Sequence, residues 1–116
     1  MKVQLILALI LAMTATGIGN AQPVFKNPSQ AAQQLLSAWR TRNRVRARQA
    51  ASDEAVDKLF DVQPRRMIFK GCHKREEGDF ECLFEDRKHD ITLAMLTETT
   101  RPGYRIKSLS FSTEAQ

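Results

Sequence analysis

The hydrophobic pattern of this chain changes at Pro64, and that change limits the folds that the chain can adopt. Before Pro64, apolar residues recur every three to four positions, as they do on one face of an α-helix. After Pro64, apolar and polar residues alternate, which is typical of antiparallel strands with one buried face. The length of 116 residues suits one domain. We therefore predict an α+β domain in which N-terminal helices pack against one face of a four-stranded antiparallel sheet.

The helical half divides into three segments. Ser29 is the predicted N-cap of the first helix. An unbroken continuation would scatter the following arginines over two sectors of the helix, so we predict a break near Asn43 and a second helix over residues 44–51. Ser52 is the predicted N-cap of a third helix. The predicted inward residues of the three helices are Ala32, Leu35, Leu36 and Trp39; Ala47 and Ala51; and Ala55, Val56, Leu59 and Phe60.

Turn residues divide the other half into four strands. Glu76-Glu77-Gly78 fits a three-residue hairpin loop in which the glycine takes the left-handed position. In the last strand the spacing of the inward apolar residues changes, which predicts a β-bulge near Lys107 or Ser108. The predicted strands are residues 66–75, 79–86, 91–98 and 104–112.

The N-terminus has the pattern of a secretory signal peptide. Lys2 precedes an apolar run over residues 5–13, and small residues then lead to Ala21, after which we predict cleavage. An uncleaved membrane anchor is the alternative, although the run is short beside the roughly 20 apolar residues of a bilayer span. The mature protein would then be secreted or periplasmic, and it would meet the membrane only during export. Its predicted parts are a lead-in over residues 22–28, the domain over 29–112 and a tail over 113–116.

Cys72 and Cys82 are the two cysteines of the chain. In an oxidising compartment such a pair predicts a disulfide. The hairpin register places the two residues opposite each other, where Cβ atoms are about 4.5–5.5 Å apart. A zinc site that adds His73 and His89 is the alternative, but the spacing matches no closely paired zinc pattern. We expect no metal and no other cofactor.

His73 and His89 are the candidate acid–base residues. His73 lies opposite Glu81 in the predicted register, so the carboxylate would favour the charged imidazole. The alternative is a cross-strand ion pair on the outer face of the sheet. His89 is expected to be a solvated turn residue. It and Asp90 would point apart on an extended chain, so a His–Asp dyad is not predicted. A secreted ribonuclease would need both rings together, and the sequence does not place them so. No catalytic residue is assigned.

The net charge of +5 conceals an uneven distribution. Five arginines fall within residues 40–48, whereas residues 76–90 hold seven acidic residues. Guanidinium groups suit phosphates, sulfates and carboxylates, so the basic segment could dock on an anionic polymer, a lipid headgroup or an acidic protein. The alternative is a solvated face that pairs in part with the acidic hairpin. Nucleic acid is not expected as a partner of an exported domain. The candidate anion-binding residues are Arg40, Arg42, Arg44, Arg46 and Arg48.

A set of apolar motifs runs through residues 29–112. The motifs are Ala32-x-x-Leu35-Leu36-x-x-Trp39, Ala55-Val56-x-x-Leu59-Phe60, Phe69-x-Gly71-Cys72, Cys82-x-Phe84 and Gly103-Tyr104-x-Ile106-x-x-Leu109-x-Phe111. With the cysteine pair, this pattern resembles the small secreted bacterial domains of the nuclear transport factor 2-like (cystatin-like) superfamily. The resemblance implies a cone, in which a curved sheet wraps around the helices and often encloses an apolar pocket. Members include isomerases, dehydratases and many binding modules, so the resemblance chooses no function.

These observations favour a small secreted or periplasmic non-catalytic binding or accessory module. Its partner would be a small apolar ligand, or an anionic surface or protein. One alternative is an isomerase- or dehydratase-like enzyme of the same fold, which needs a polar side chain projecting into an open pocket. The other is an anion-binding interaction protein that uses residues 40–48. The core is expected to be bounded by Trp39, Phe60, Phe84, Ile106 and Phe111.

Overall fold

A computed structural model of the chain describes residues 24–100 and 103–113. Within these ranges the helices precede a four-stranded sheet of order β1-β2-β3-β4, in which every neighbouring pair is antiparallel. The helices pack on one face of this curved sheet, which confirms the predicted α+β class. The elements are α1 Pro28–Arg40, α2 Arg44–Ala50, α3 Asp53–Phe60, β1 Ile68–Lys74, β2 Phe80–Asp86, β3 Ile91–Thr99 and β4 Tyr104–Thr113.

The N-cap of the first helix lies two residues earlier than the sequence predicts. Asn27, rather than Ser29, is the N-cap, and its Oδ1 accepts a hydrogen bond from the Gln30 N–H at 3.0 Å. The Ser29 prediction is wrong because Pro28 occupies the first helical position, where a proline loses no helical hydrogen bond. Ser29 instead donates its hydroxyl to the Asn27 side chain.

The predicted break near Asn43 is confirmed. Arg42 has a positive φ of 57°, and its N–H donates to the Trp39 carbonyl at 3.0 Å. The Asn43 N–H donates back to the Ala38 carbonyl at 2.8 Å, which closes the end of α1. The Asn43 side chain then accepts from the Arg46 N–H at 3.0 Å and caps α2. One residue therefore ends one helix and starts the next.

The third helix is tied to the sheet at its first turn. The Ser52 hydroxyl caps α3 by accepting from the Ala55 N–H at 3.1 Å, as predicted, and it also donates to the Lys107 carbonyl at 3.1 Å. The Ser52 N–H donates to the Ile106 carbonyl at 2.9 Å. Lys107 is the extra residue of the β-bulge in β4, because its neighbours Ile106 and Ser108 pair with adjacent residues of β3. The predicted bulge is thus confirmed, and it faces the start of α3.

The core lies between the helices and the inner face of the sheet. The inward helix residues predicted from the sequence are buried, except that Leu36 is only half-buried. The Trp39 indole N–H donates to the Val62 carbonyl at 2.9 Å, so the ring is held where α3 ends. Among the expected core boundaries, Phe111 is half-buried, and its ring centroid lies 6.1 Å from that of Trp39. The other four are buried, namely Trp39, Phe60, Phe84 and Ile106.

The β1–β2 hairpin has the predicted register around its loop. Cys72 pairs with Cys82, and the loop glycine Gly78 has a φ of 99°. A second bulge at Lys70, which the apolar spacing does not predict, lies between the pairs of Phe69 and Gly71.

The predicted lead-in contributes to the buried part of the structure. Phe25 is buried, and its carbonyl accepts from the Tyr104 N–H at 2.9 Å. The predicted signal peptide and its cleavage site lie outside the described residues, as do residues 114–116 of the tail. In the ranges that the structure describes, no helix is long and apolar enough to span a bilayer.

Candidate functional site

A groove of about 410 Å³ lies between α1 and the part of the sheet around β1. Its helical wall consists of residues spaced three or four positions apart, which share one face of α1. The other wall is formed by the residue before β1, by β1 itself and by β2. The lining residues are Gln33, Leu36, Ser37, Arg40 and Thr41 from the helix and its C-cap, and Met67, Phe69 and Phe84 from the sheet side.

The floor of the groove is apolar. Met67 and Phe84 are buried, while Leu36 and Phe69 are half-buried and pack against the core. The rings of Phe69 and Phe84 contact each other with centroids 5.1 Å apart. The volume lies within the usual range of small-molecule sites, which is about 300–1,000 Å³. The floor can therefore take an apolar group into contact with the core.

The polar wall of the groove carries one charge. Of the described residues that line it, only Arg40 is charged, and that side chain is exposed at the last position of α1. Within residues 24–100 and 103–113, no acidic side chain forms an ion pair with Arg40. Its guanidinium group remains available to a ligand.

Two of the other candidate arginines are paired within the molecule. Arg44 Nη1 lies 2.8 Å from Asp57 Oδ1, and Arg48 Nε lies 3.5 Å from Asp53 Oδ1. Both acidic partners belong to α3. The alternative considered from the sequence, in which the arginines pair with the acidic hairpin of residues 76–90, is therefore wrong for Arg44 and Arg48. The α2–α3 contact forms because the break at Asn43 and the Ser52 cap lay the two short helices side by side.

The remaining two arginines also contact the protein. The Arg42 guanidinium carbon lies 5.8 Å from the centre of the Phe60 ring, and that of Arg44 lies 4.9 Å from it, which are cation–π distances. Arg46 donates to the Gln34 side chain at 3.3 Å. The five arginines thus occupy different environments, and of these five Arg40 is the one that lines the groove.

His73 lies on the outer face of the sheet in the predicted pair with Glu81. Its Nε2 is 3.1 Å from Glu81 Oε1, and the side chain is 54% exposed. His73 does not line the groove. His89 follows the far end of β2, so the two histidines lie at opposite ends of that strand and do not form one site.

His89 has a partner that the sequence pattern does not predict. Its Nδ1 lies 2.8 Å from Oδ2 of Asp86, whose side chain is only 8% exposed. Arg65 Nη1 lies 2.9 Å from the same oxygen. The other carboxylate oxygen accepts the backbone N–H groups of Lys88 at 3.1 Å and His89 at 3.3 Å. An aspartate that bonds backbone N–H groups two and three residues on is a turn signal that the sequence contains.

These contacts act on the ionisation of Asp86. The hydrogen bond from His89 lowers the pKa of the carboxyl group, and the Arg65 bond lowers it further. Burial opposes both effects, but the net pKa lies below the ordinary value for aspartate. The arrangement holds Arg65, the β2–β3 turn and His89 together.

The predicted disulfide joins Cys72 and Cys82, whose Cα atoms are 3.9 Å apart. It leaves no thiolate for the zinc site considered with His73 and His89. Among the described residues, no group of three or more His, Cys, Asp or Glu side chains has the arrangement of a metal site.

No family model, no curated protein and no solved structure matches the chain. The resemblance to the nuclear transport factor 2-like superfamily therefore stays a prediction from the sequence pattern.

Proposed function

We propose that this protein is a small secreted or periplasmic binding module whose ligand occupies the groove between α1 and β1. The observation that carries the proposal is the open groove with an apolar floor, set between a helix and a sheet that both belong to the core. A site whose walls are rigid elements needs little ordering when a ligand binds.

The disulfide supports the proposed location. Bonds such as Cys72–Cys82 form and persist in oxidising compartments. The predicted signal peptide would deliver the chain to such a compartment.

The lining of the groove favours binding over catalysis at this site. An isomerase or dehydratase moves protons through a side chain that can gain and lose one near neutral pH. The titratable types that do this include His, Asp, Glu, Cys and Lys, and none of the described residues that line the groove is of these types. An arginine side chain such as that of Arg40 is a hydrogen-bond donor only and does not serve as an acid–base group.

Binding of the neutral apolar dye Nile red tests the proposal. We expect a saturable rise in dye fluorescence with the disulfide-bonded protein. Leu36→Gln should weaken dye binding about 5- to 10-fold, because it removes apolar contact area from the floor. Val45→Gln is the matched control, since Val45 is 69% exposed on α2 and does not line the groove.

The circular dichroism spectrum and melting temperature of each variant show that the fold is retained. Absence of saturable dye binding, or equal losses in the Leu36 and Val45 variants, would contradict the proposal.

A further inference from the structure

The position of Arg40 gives the groove a polar end. Leu36 and Arg40 are four residues apart on α1, so one side chain contributes to the apolar floor while the other places a guanidinium group beside it. Gln33 and Ser37 add an amide and a hydroxyl group to the same wall. A ligand that fills the groove therefore contacts both apolar surface and a guanidinium group on the same face of α1.

The carbonyl groups at the end of α1 do not cancel this cation. A helix C-terminus repels anions through its exposed carbonyls. Here the Thr41 hydroxyl and N–H donate to the Ser37 carbonyl. The Asn43 N–H donates to the Ala38 carbonyl, and the Arg42 N–H donates to the Trp39 carbonyl. The carbonyls of Ser37, Ala38 and Trp39 are thus satisfied within the protein.

The lining of the groove has a positive charge. Of the described residues that form it, Arg40 is the one charged residue, and none is acidic. This charge is complementary to an anion.

We infer that the groove selects an amphiphile with a single alkyl chain and a carboxylate headgroup, and that Arg40 binds the headgroup. The inference rests on the proposed function and adds the chemical class of the ligand. A guanidinium group presents two parallel N–H donors, which match the two oxygens of a carboxylate. The alkyl chain lies on the floor formed by Leu36, Met67, Phe69 and Phe84.

Displacement of Nile red by matched amphiphiles tests the inference. Decanoate, decyl phosphate and decanol share one alkyl chain and differ in the headgroup. Each is titrated near neutral pH and below its critical micelle concentration. We expect decanoate to displace the dye at about tenfold lower concentration than decanol, because a charged hydrogen bond adds to the apolar contact. Decanoate should also bind at least as tightly as decyl phosphate.

Arg40→Gln isolates the headgroup contact. The variant should weaken decanoate binding about 5- to 10-fold and leave Nile red and decanol within about twofold of the wild type. Arg48→Gln is the matched control, because it removes the same charge from an exposed arginine that does not line the groove. It should leave all of these affinities within about twofold of the wild type.

The outcomes separate the two proposals. Failure of the wild-type protein to bind Nile red would contradict the binding function itself. Dye binding with equal displacement by decanoate and decanol, or with decanoate affinity unchanged in Arg40→Gln, would overturn only the headgroup assignment. Equal losses in the Arg40 and Arg48 variants would also overturn it, since they would reflect net charge. Tighter binding of decyl phosphate than of decanoate would overturn the choice of a carboxylate.

Discussion

Asp86 connects three parts of the structure, and the residues around it in the sequence do not predict all of these contacts. Its two carboxylate oxygens contact Arg65 before β1, His89 in the β2–β3 turn and two backbone N–H groups of that turn. These contacts favour the charged carboxylate, and for that reason they lower the pKa of Asp86.

The lowered pKa predicts how stability depends on pH. An unfolded aspartate titrates at about pH 3.9, and the folded carboxyl group titrates lower. The stabilisation is therefore present above about pH 4 and is lost as the pH falls through the folded pKa. Melting temperatures taken from neutral pH down to about pH 3 should fall less steeply for Asp86→Asn than for the wild type.

Asp90→Asn is the control for this titration. Asp90 lies in the same turn and is exposed, and asparagine tolerates its positive φ of 55°. This variant should keep the wild-type dependence of melting temperature on pH. An unchanged slope in Asp86→Asn would contradict the role given to the Asp86 contacts.

Gly103 is a second residue whose role follows from its surroundings. A Cβ atom at this position would lie 2.5 Å from the Phe25 carbonyl oxygen and 3.2 Å from Val24 Cγ1. The backbone at Phe25 is held there, because its carbonyl accepts the Tyr104 N–H. Gly103 is therefore required by a close approach of two chain segments.

Substitution of Gly103 by alanine should destabilise the protein. The added methyl group must push the segment of Phe25 away from β4, which we expect to lower the free energy of unfolding by about 2 kcal/mol. Urea denaturation measures the loss. Ser108→Ala, at an exposed position of β4, should change the free energy of unfolding by less than about 0.5 kcal/mol. A Gly103→Ala variant as stable as the wild type would contradict the close approach.

At the scale of elements, the β1–β2 hairpin is the unit with the strongest covalent constraint. The disulfide closes a loop with a sequence separation of 10, and Cys82 is fully buried at one end of it. β1 is an edge strand, so the described residues pair it only with β2. The bond therefore holds the edge of the sheet that borders the groove.

Removal of the disulfide should weaken the whole domain. In the chain-entropy description, a closed loop of this length contributes about 3 kcal/mol. Cys72→Ala with Cys82→Ala should lower the free energy of unfolding in urea by about that amount. The wild-type protein measured in reductant should lose a similar amount, whereas the double variant should not respond to reductant. Intact mass before and after reduction checks the bond, since reduction adds two hydrogen atoms. A double variant as stable as the oxidised wild type would contradict this contribution.

The helix boundaries show how far local pattern predicts an element. The break near Asn43 followed from the arginine spacing, because a continuous helix there would lack an apolar face. The N-cap of α1 was wrong by two residues, because Pro28 and Asn27 together define a start that the apolar spacing does not register. The sequence pattern did not predict the Lys70 bulge, because Gly71, which follows it with a φ of 108°, has no side chain whose polarity would show the register change.

At the scale of the whole molecule, the position of α1 on the sheet creates the groove. The helix crosses the inner face so that Leu36 is half-buried, while Leu35 and Trp39 are fully buried. The helical pattern predicts that Leu36 faces inward, as Leu35 and Trp39 do, and it does not predict that Leu36 is less buried than they are. The same packing places Asp53 and Asp57 of α3 beside α2, where they form ion pairs with Arg48 and Arg44.

The amino-acid sequence by itself determined the α+β class, the strand register around the hairpin, the disulfide, the β4 bulge and most of the buried face of each helix. These features depend on periodicity, on turn residues and on pairs close in the chain, all of which are local. Only the tertiary structure decided that Arg40 borders a groove, that Arg44 and Arg48 pair with α3, and that His89 meets Asp86 beside Arg65. The first two depend on how helices pack against each other and the sheet, and the last on bringing residue 65 to the end of β2. Such contacts join residues that are far apart in the chain, and the local sequence pattern does not show which distant segments come together.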